Sequence, residues 1–316
     1  MSPAVPRAIA IDVGGTGIKA ALIDAHAGVH HQLWRPTARE RGPEAVIRTI
    51  TDLATELAEA ARRAGAPAHA IGLALPGIVD EAAGTVLYSA TIGWRDIPFG
   101  DLIAKATGLP VAITHDVRAG GIAEARLGAG RGHRRFLFVP IGTSIAAAIM
   151  TDATPEPGAH HRAGEIGHLT IRPGGDQCAC GARGCAETYA SATAISRRYA
   201  MTTGHSADAA EVAARSAAGE EAARRVWEQA IDALADTLLQ TMTIIDPPLI
   251  VLGGGVAESG ELLLSPLRAA MASKAVVAAV PVLAQAELGD RAGCLGAGLA
   301  ALDLITVRSD RGGRVR

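Results

Sequence analysis

One Gly-rich stretch, "GEIGHLTIRPGGDQCACGARGCAET", holds three of the four cysteines in the chain. His168 is followed by Cys178, Cys180 and Cys185 in the spacing H-x9-C-x-C-x4-C. One imidazole and three thiolates complete a tetrahedral zinc with no position left for water, so such a site is structural rather than catalytic. Gly174, Gly175, Gly181 and Gly184 let the backbone turn sharply around an ion. In a reducing compartment, clustered cysteines point to a metal before disulfides. The remaining Cys294 lies in an Ala/Gly-rich stretch and reads as a small buried hydrophobe.

Two acids bracket the cluster, Glu165 before His168 and Glu187 after Cys185. A loop clamped by a metal would also fix these carboxylates, which as pure acceptors suit the vicinal hydroxyls of a sugar. The alternative is a pair of solvated surface glutamates. Near the start, "DVGGTGIK" offers the amides of Gly14 and Gly15, the hydroxyl of Thr16, Lys19 and Asp12. Successive glycine amides make an anion-binding concavity, and an aspartate nearby can hold Mg2+ through water. The stretch is neither a Walker loop nor a G-x-G-x-x-G fingerprint, and a plain hairpin turn reads equally well. Further on, "IGTS" (Gly142, Thr143) could face phosphates and "LGGGV" (Gly254, Gly255) a nucleoside. Asp116 ends a strand-like run where a helix begins, the usual ligand position in α/β proteins. A carboxylate there can take a proton from an attacking hydroxyl, or simply cap the helix.

These residues need a frame. "AIAIDVGGTGIKAALID" reads as strand, tight turn, strand. "GPEAVIRTITDLATELAEAARRAG" reads as a helix with Pro43 in its first turn and Val46, Ile50, Leu53 and Leu57 on one face. "AIGLALPG" and "PVAITHD" read as strands, the latter followed by a helix starting at or just after Asp116. A second strand–turn–strand, "FLFVPIGTSIAAAIM", aligns with the first when one glycine is deleted, pairing Thr16 with Thr143 and Ile18 with Ile145. Either the hairpins share composition by chance, or an α/β unit is duplicated. Residues 207–246 read as predominantly helical, with a stripe of Val226, Ala230, Leu234 and Leu238, and "PPLIVLGGGV" as a buried strand running into glycines. His160 and His161 are expected at the surface.

With 316 residues, 49% of them hydrophobic, the chain has room for two domains with real cores. A formal charge of −2 gives no electrostatic case for nucleic acid or an anionic membrane. No signal-peptide pattern opens the sequence and no apolar run is long enough for a bilayer, so a cytoplasmic location is expected.

Together these motifs resemble the ROK (repressor, open reading frame, kinase) family of sugar kinases and sugar-responsive repressors. The resemblance extends through "LPGIVD", "IGWRDIPF", "HDVRAGGIAEARLGAG" and the Cys/His signature, spacing included. It implies a two-domain α/β fold of the actin/hexokinase (ribonuclease H-like) kind, with ATP and sugar in an interdomain cleft. Residues 1–116, with 295–316 packing back on them, would form one domain, and 117–294, carrying the zinc loop, the other. By position Asp116 would be the base, while Glu165, His168 and Glu187 bind the sugar, His168 also ligating zinc with Cys178, Cys180 and Cys185. Gly14, Gly15, Thr16, Gly142 and Thr143 would meet phosphates, Asp12 and Lys19 the Mg2+–ATP charge, and Gly254 and Gly255 the nucleoside.

His115 and Thr91 stand where the family customarily has asparagines that hydrogen-bond the sugar, so they too are expected to touch substrate. Ser144 and Ala146–Ala148 replace customary glycines, implying either ordinary φ values or altered phosphate geometry. The leading expectation is ATP-dependent phosphorylation of glucose or a close hexose-like sugar by a homodimer or homotetramer. An amino sugar, fructose or a carbocyclic analogue is the alternative substrate. A non-catalytic sugar sensor is the alternative of another class. A repressor would need a helix-turn-helix domain before the first phosphate motif, and only a few residues precede Ile9.

Overall fold

The computed structural model describes residues 5–277 and 279–312. The first apolar run forms β1 (Arg7–Val13), which turns back as β2 (Gly17–Asp24), antiparallel from Arg7↔Asp24 to Val13↔Ile18. β3 (Val29–Pro36) extends the sheet beyond β2. The chain then forms α1 (Pro43–Arg63), with proline at its first position, where the missing N–H costs nothing. Val46, Ile50, Leu53 and Leu57 are all buried on one face. Each contributes on the order of 1.5–3 kcal/mol by leaving water.

β4 (Ala70–Leu75) is buried throughout and lies parallel to β1. A small antiparallel sheet of β5 (Ile78–Asp80), β6 (Thr85–Ser89) and β7 (Trp94–Ile97) follows, then α2 (Phe99–Thr107). β8 (Val111–His115) returns parallel to β4 and runs directly into α3 (Asp116–Leu127).

The second hairpin comprises β9 (Arg135–Pro140) and β10 (Ala148–Thr151), extended by the short β11 (Thr154–Pro155). After the Cys/His loop come α4 (Glu187–Ala190), α5 (Ala192–Thr203), α6 (Ala209–Ala217) and α7 (Glu221–Ile245). The run expected as largely helical thus breaks between α6 and α7, where Gly219 takes φ +87. The buried stripe of Val226, Ala230, Leu234 and Leu238 lies on α7. β12 (Leu249–Gly253) is fully buried, α8 (Gly254–Ala257) and α9 (Glu261–Lys274) follow, and β13 (Val282–Gln285) completes the sheet. The last element is α10 (Ala292–Gly312).

The two five-stranded sheets have orders β3-β2-β1-β4-β8 and β11-β10-β9-β12-β13. Strand for strand the directions agree: an antiparallel hairpin, then two parallel neighbours. A chance similarity of two hairpins would not extend to all five strands, so the duplicated-unit reading is the one the topology favours. The chain divides into two compact units, Met1–Ala123 with Ala159–His161 and Arg291–Arg316, and Glu124–Gly158 with Arg162–Asp290.

Within the first unit α10 lies directly on β4 and α3. A Cβ at Gly72 would stand 1.8 Å from the Ala297 carbonyl, and one at Gly296 1.8 Å from that of Ala119. Alanines at 8, 10, 70, 74, 119, 297 and 301 line this contact together with Cys294. Burial pushes the Cys294 thiol up to about 12, in keeping with an inert apolar role. Among the described residues no helix is long and apolar enough to cross a membrane.

Candidate active site and metal centre

In the first unit, the β8–α3 junction places His115 and Asp116 side by side. Asp116 is the first residue of α3 rather than its cap, and its Oδ1 accepts from the Val117 N–H at 2.7 Å. His115 Nε2 lies 3.2 Å from the same Oδ1. Beneath them one oxygen of Glu81 gathers three donors: the Thr114 hydroxyl (2.6 Å), the His115 N–H (3.1 Å) and Arg118 Nε (2.8 Å). Arg118 is only 2% exposed and donates a further bond to the Val79 carbonyl at 3.0 Å. Arg118 is buried while Glu81 is half-buried, so removing the carboxylate would strand a desolvated guanidinium, and the pair holds this junction in place. Glu81 stands in no motif, Arg118 lies in the "HDVRAGGIAEARLGAG" stretch without an assigned role, and their pairing spans 37 positions, so no local pattern announces it.

Of the two histidines expected at the surface, His160 is exposed, whereas His161 is half-buried and packed. Its backbone is left-handed at φ +58, its Nε2 lies 3.6 Å from Asp80 Oδ2, and its carbonyl accepts from Arg118 at 3.5 Å. Nδ1 is buried without a hydrogen-bond partner among the described residues.

The turn between β1 and β2 carries Gly14, Gly15 and exposed Thr16. It is tied down by the Thr37 hydroxyl donating to the Gly14 carbonyl (2.6 Å) and the Thr37 N–H to that of Thr16 (3.0 Å). Thr91 is exposed beside it: a Cβ at Gly15 would meet Thr91 Cγ2 at 3.6 Å. Asp12 and Lys19 are direct cross-strand partners at the end of this hairpin. A Cβ on Gly293, in the first turn of α10, would stand 2.6 Å from the Asp12 carboxylate, so glycine leaves room for that acid.

In the second unit the structure brings all four expected ligands together, their donor atoms within 4.8 Å of one another. Cys178 Sγ is 3.7 Å from His168 Nδ1, and the sulfurs of Cys180 and Cys185 are 3.6 Å apart. A tetrahedron with Zn–S and Zn–N bonds of about 2.3 and 2.05 Å has edges of about 3.8 Å between sulfurs and about 3.6 Å from sulfur to nitrogen. The residues fit the ion. Burial pushes the thiols of Cys178 and Cys185 up, and the Ala182 N–H holds that of Cys180 down. Buried sulfurs beside a carboxylate can ionise together only with a cation among them.

The flanking acids sit on this centre. Glu187 Oε1 is 3.1 Å from Cys178 Sγ and 3.6 Å from His168 Nδ1, and Glu165 Oε2 is 3.8 Å from His168 Nε2. One imidazole thus presents Nδ1 to the sulfurs and Nε2 to Glu165. The loop is held from outside by an ion-pair lattice that the motifs did not reveal. Arg172 bridges Asp232 and Asp236 of α7 (2.6 Å to the latter), and Lys274 of α9 bridges the same two aspartates. Burial opposes ionisation of Asp236, but the bonds from Lys274 and Arg172 prevail and hold its carboxyl below the usual range. Gly184 takes φ +80, and a Cβ there would stand 1.7 Å from the Arg172 carbonyl.

The second turn places Gly142 and exposed Thr143 between Ile141 and Ile145, an isolated bridge pair. The Gly142 carbonyl accepts from the Ala192 N–H at 2.8 Å and the Ile141 carbonyl from that of Val256 at 3.1 Å. Gly254 takes φ +75 with a would-be Cβ 2.6 Å from the Ile141 carbonyl, so no other residue fits, whereas Gly255 faces open space. Ser144 and Ala146–Ala148 all keep negative φ, in line with the expectation of ordinary backbone at these positions.

Comparison with known proteins agrees with this architecture. The chain is 32% identical to a glucokinase of Thermotoga maritima, over 83% of its own length and 86% of that protein. It is 30% identical to the N-acetylgalactosamine kinase AgaK of Shewanella sp. (strain ANA-3), over 92% and 94% of the two chains. A ROK family glucokinase from Streptomyces griseus, solved with glucose and AMPPNP, superposes with a TM-score of 0.80 at 27% identity, covering 94% of this chain and 99% of that one. Residues 8–303 match the ROK family, and with the duplicated α/β topology and the Cys/His centre in place, this chain belongs to it.

Proposed function

We propose that this protein is a sugar kinase, transferring a phosphoryl group from ATP to a hydroxyl of glucose or a closely related hexose. The observation that carries the reading is the likeness, along nearly the whole chain, to a glucokinase crystallised with glucose and an ATP analogue. In this reading Asp116 takes the proton of the attacking hydroxyl on Oδ2, the oxygen that no described residue engages. Glu165, Glu187, His168, Thr91 and His115 are the candidates for holding the ring. Amides and hydroxyls at Gly14, Gly15, Thr16, Gly142 and Thr143 receive the phosphates, and Gly254 and Gly255 let the nucleoside approach the backbone. Mg2+, when bound with ATP, neutralises charge developing on the phosphates, and Asp12 and Lys19 are the residues to hold it and its phosphate partners. The Cys/His centre takes zinc in a closed, structural role and thereby sets the directions of Glu165 and Glu187.

A second substrate reading is favoured by one observation. An N-acetylgalactosamine kinase is about as similar to this chain as the glucokinase, and His115 and Thr91 replace amides customary in the family. A buried hydroxyl-reading group left unpaired costs about 1–3 kcal/mol, enough to change the preferred sugar. A coupled ADP-release assay across hexoses, N-acetylhexosamines and cyclitols, with ATP or polyphosphate as donor, decides between these readings. One sugar is expected to saturate turnover. Asp116→Asn is expected to lower kcat by roughly 10²–10⁴-fold while sugar binding, measured by calorimetry, survives. ADP release with no sugar on the panel, or full turnover in the variant, defeats the assignment.

A further inference from the structure

We infer that Gly293 is a positioning residue for Asp12: the bare backbone at the start of α10 seats that carboxylate in the place from which it serves Mg2+-bound ATP. The inference deepens the kinase reading above and rests on it. Alternate residues of β1 face α10, and that row reads Ala8, Ala10, Asp12. Two methyl groups belong to the alanine contact, and the third position puts an acid where α10 begins. Across the ladder Asp12 has Lys19 on one side and Ala74 on the other. A Cβ on Gly293 would stand 2.6 Å from Asp12 Oδ2, 2.8 Å from Cγ and 2.9 Å from Oδ1, the nearest atoms it would meet outside its own helix. Helix propensity runs the other way, since alanine suits a helix better than glycine does. The acid opposite is what calls for glycine here.

A side chain at this position would force either the helix or the acid to yield, and the helix is fastened. A Cβ at Gly72 would stand 1.8 Å from the Ala297 carbonyl, and one at Gly296 1.8 Å from that of Ala119, so α10 touches β4 and α3 backbone to backbone. Beside Gly293, the buried Cys294 places its Sγ 3.7 Å from the Ala10 carbonyl. The carboxylate hangs from two rotatable bonds and is the part that moves. Mg2+ tolerates little departure from octahedral geometry, so an acid turned aside by one methyl group serves it poorly.

The test is a double-mutant cycle on Gly293→Ala and Asp12→Asn, read by calorimetry with AMPPNP in the presence and absence of Mg2+. In the wild type, Mg2+ is expected to tighten AMPPNP binding. Gly293→Ala is expected to lose about 10–100-fold of that tightening and to raise the Mg2+ concentration for half-maximal turnover by a similar factor. KM for the sugar chosen by the ADP-release panel is expected to stay within about twofold. With Asp12→Asn already in place, Gly293→Ala is expected to cost nothing further, as befits a residue that acts through the acid. Cys294→Ala, one residue along the same seam, is expected to keep the tightening of the wild type. Wild-type Mg2+ dependence in Gly293→Ala overturns the inference. So does equal weakening of AMPPNP with and without Mg2+, a further loss in the double variant, or the same defect in Cys294→Ala. A Gly293→Ala protein without wild-type circular dichroism overturns it too, because the carboxylate alone should have to yield. If Asp12→Asn keeps both the tightening and full turnover, the assignment of Asp12 in the kinase reading falls as well. If Asp12→Asn loses them and Gly293→Ala does not, only the present inference falls.

Discussion

The two hairpins occupy the same place in topologically matching sheets, yet they are built differently. In the first, the antiparallel ladder runs without interruption to Val13↔Ile18, and four residues, Gly14 to Gly17, make the turn. In the second, three residues separate Ile141 from Ile145, and the ladder then lapses until Ala148↔Phe138. The gap is put to use. The Ala147 N–H donates to the Gly164 carbonyl at 2.8 Å. A Cβ at Gly164 would stand 1.8 Å from the Ala147 carbonyl, and one at Gly167 2.2 Å from that of Ile145. The second hairpin gives up ladder bonds of its own to brace the segment bearing Glu165 and His168. Small residues at 146–148 follow from that close approach, since Ala147 and Ala148 are both buried. One inherited element thus serves a turn alone in one unit, and a turn plus a loop brace in the other.

The sharpest way to break this comparison is Gly164→Val. Gly164 sits at φ +94 against backbone, where a β-branched side chain is both strained and obstructed. The variant is expected to lose about 3 kcal/mol or more in urea unfolding, together with the geometry of the Cys/His loop that would hold zinc, because no far end of a flexible side chain is there to yield. Metal removal should have a smaller, localised effect. With zinc chelated, amide exchange across Gly164–Ala190 and β10 is expected to rise roughly tenfold or more, while β1 and β2 stay protected. Equal change in both hairpins would refute the division of labour.

The mildest change is Gly17→Ala in the first turn, where a Cβ would stand 2.4 Å from the Trp34 indole. Trp34 is 57% exposed and can swing aside, so about 1 kcal/mol or less of stability should be lost in thermal unfolding. If the turn serves phosphate, KM for ATP should rise more than that loss accounts for.

How legible all this was depends on whether the signal was local. The Cys/His centre followed from spacing because its ligands are neighbours in the chain, and the buried stripes of α1 and α7 followed from helical periodicity. The duplicated sheet was visible only as a weak echo of Thr16 and Ile18 in Thr143 and Ile145. Glu81, Arg118 and the Arg172–Asp232–Asp236–Lys274 lattice were invisible, because each pairs residues dozens of positions apart with no periodic pattern between them. His161 departs from the surface expectation for the same reason: its partner Asp80 lies in a different part of the sequence. The lapse in the second ladder also escaped notice. An alanine run reads as an uninterrupted strand until a distant segment takes its hydrogen bond.

The contact of α10 with β1 and β4 sets an order of events during synthesis. Every strand of the second unit has been synthesised before the helix that seals the first. Until then the outer face formed by Ala8, Ala10, Ala70 and Ala74 stays bare. Alanine suits that wait, since a surface of methyl groups offers a passing chain far less to adhere to than leucine or phenylalanine would. The close backbone contact that fastens the finished protein also leaves its nascent form little to aggregate through.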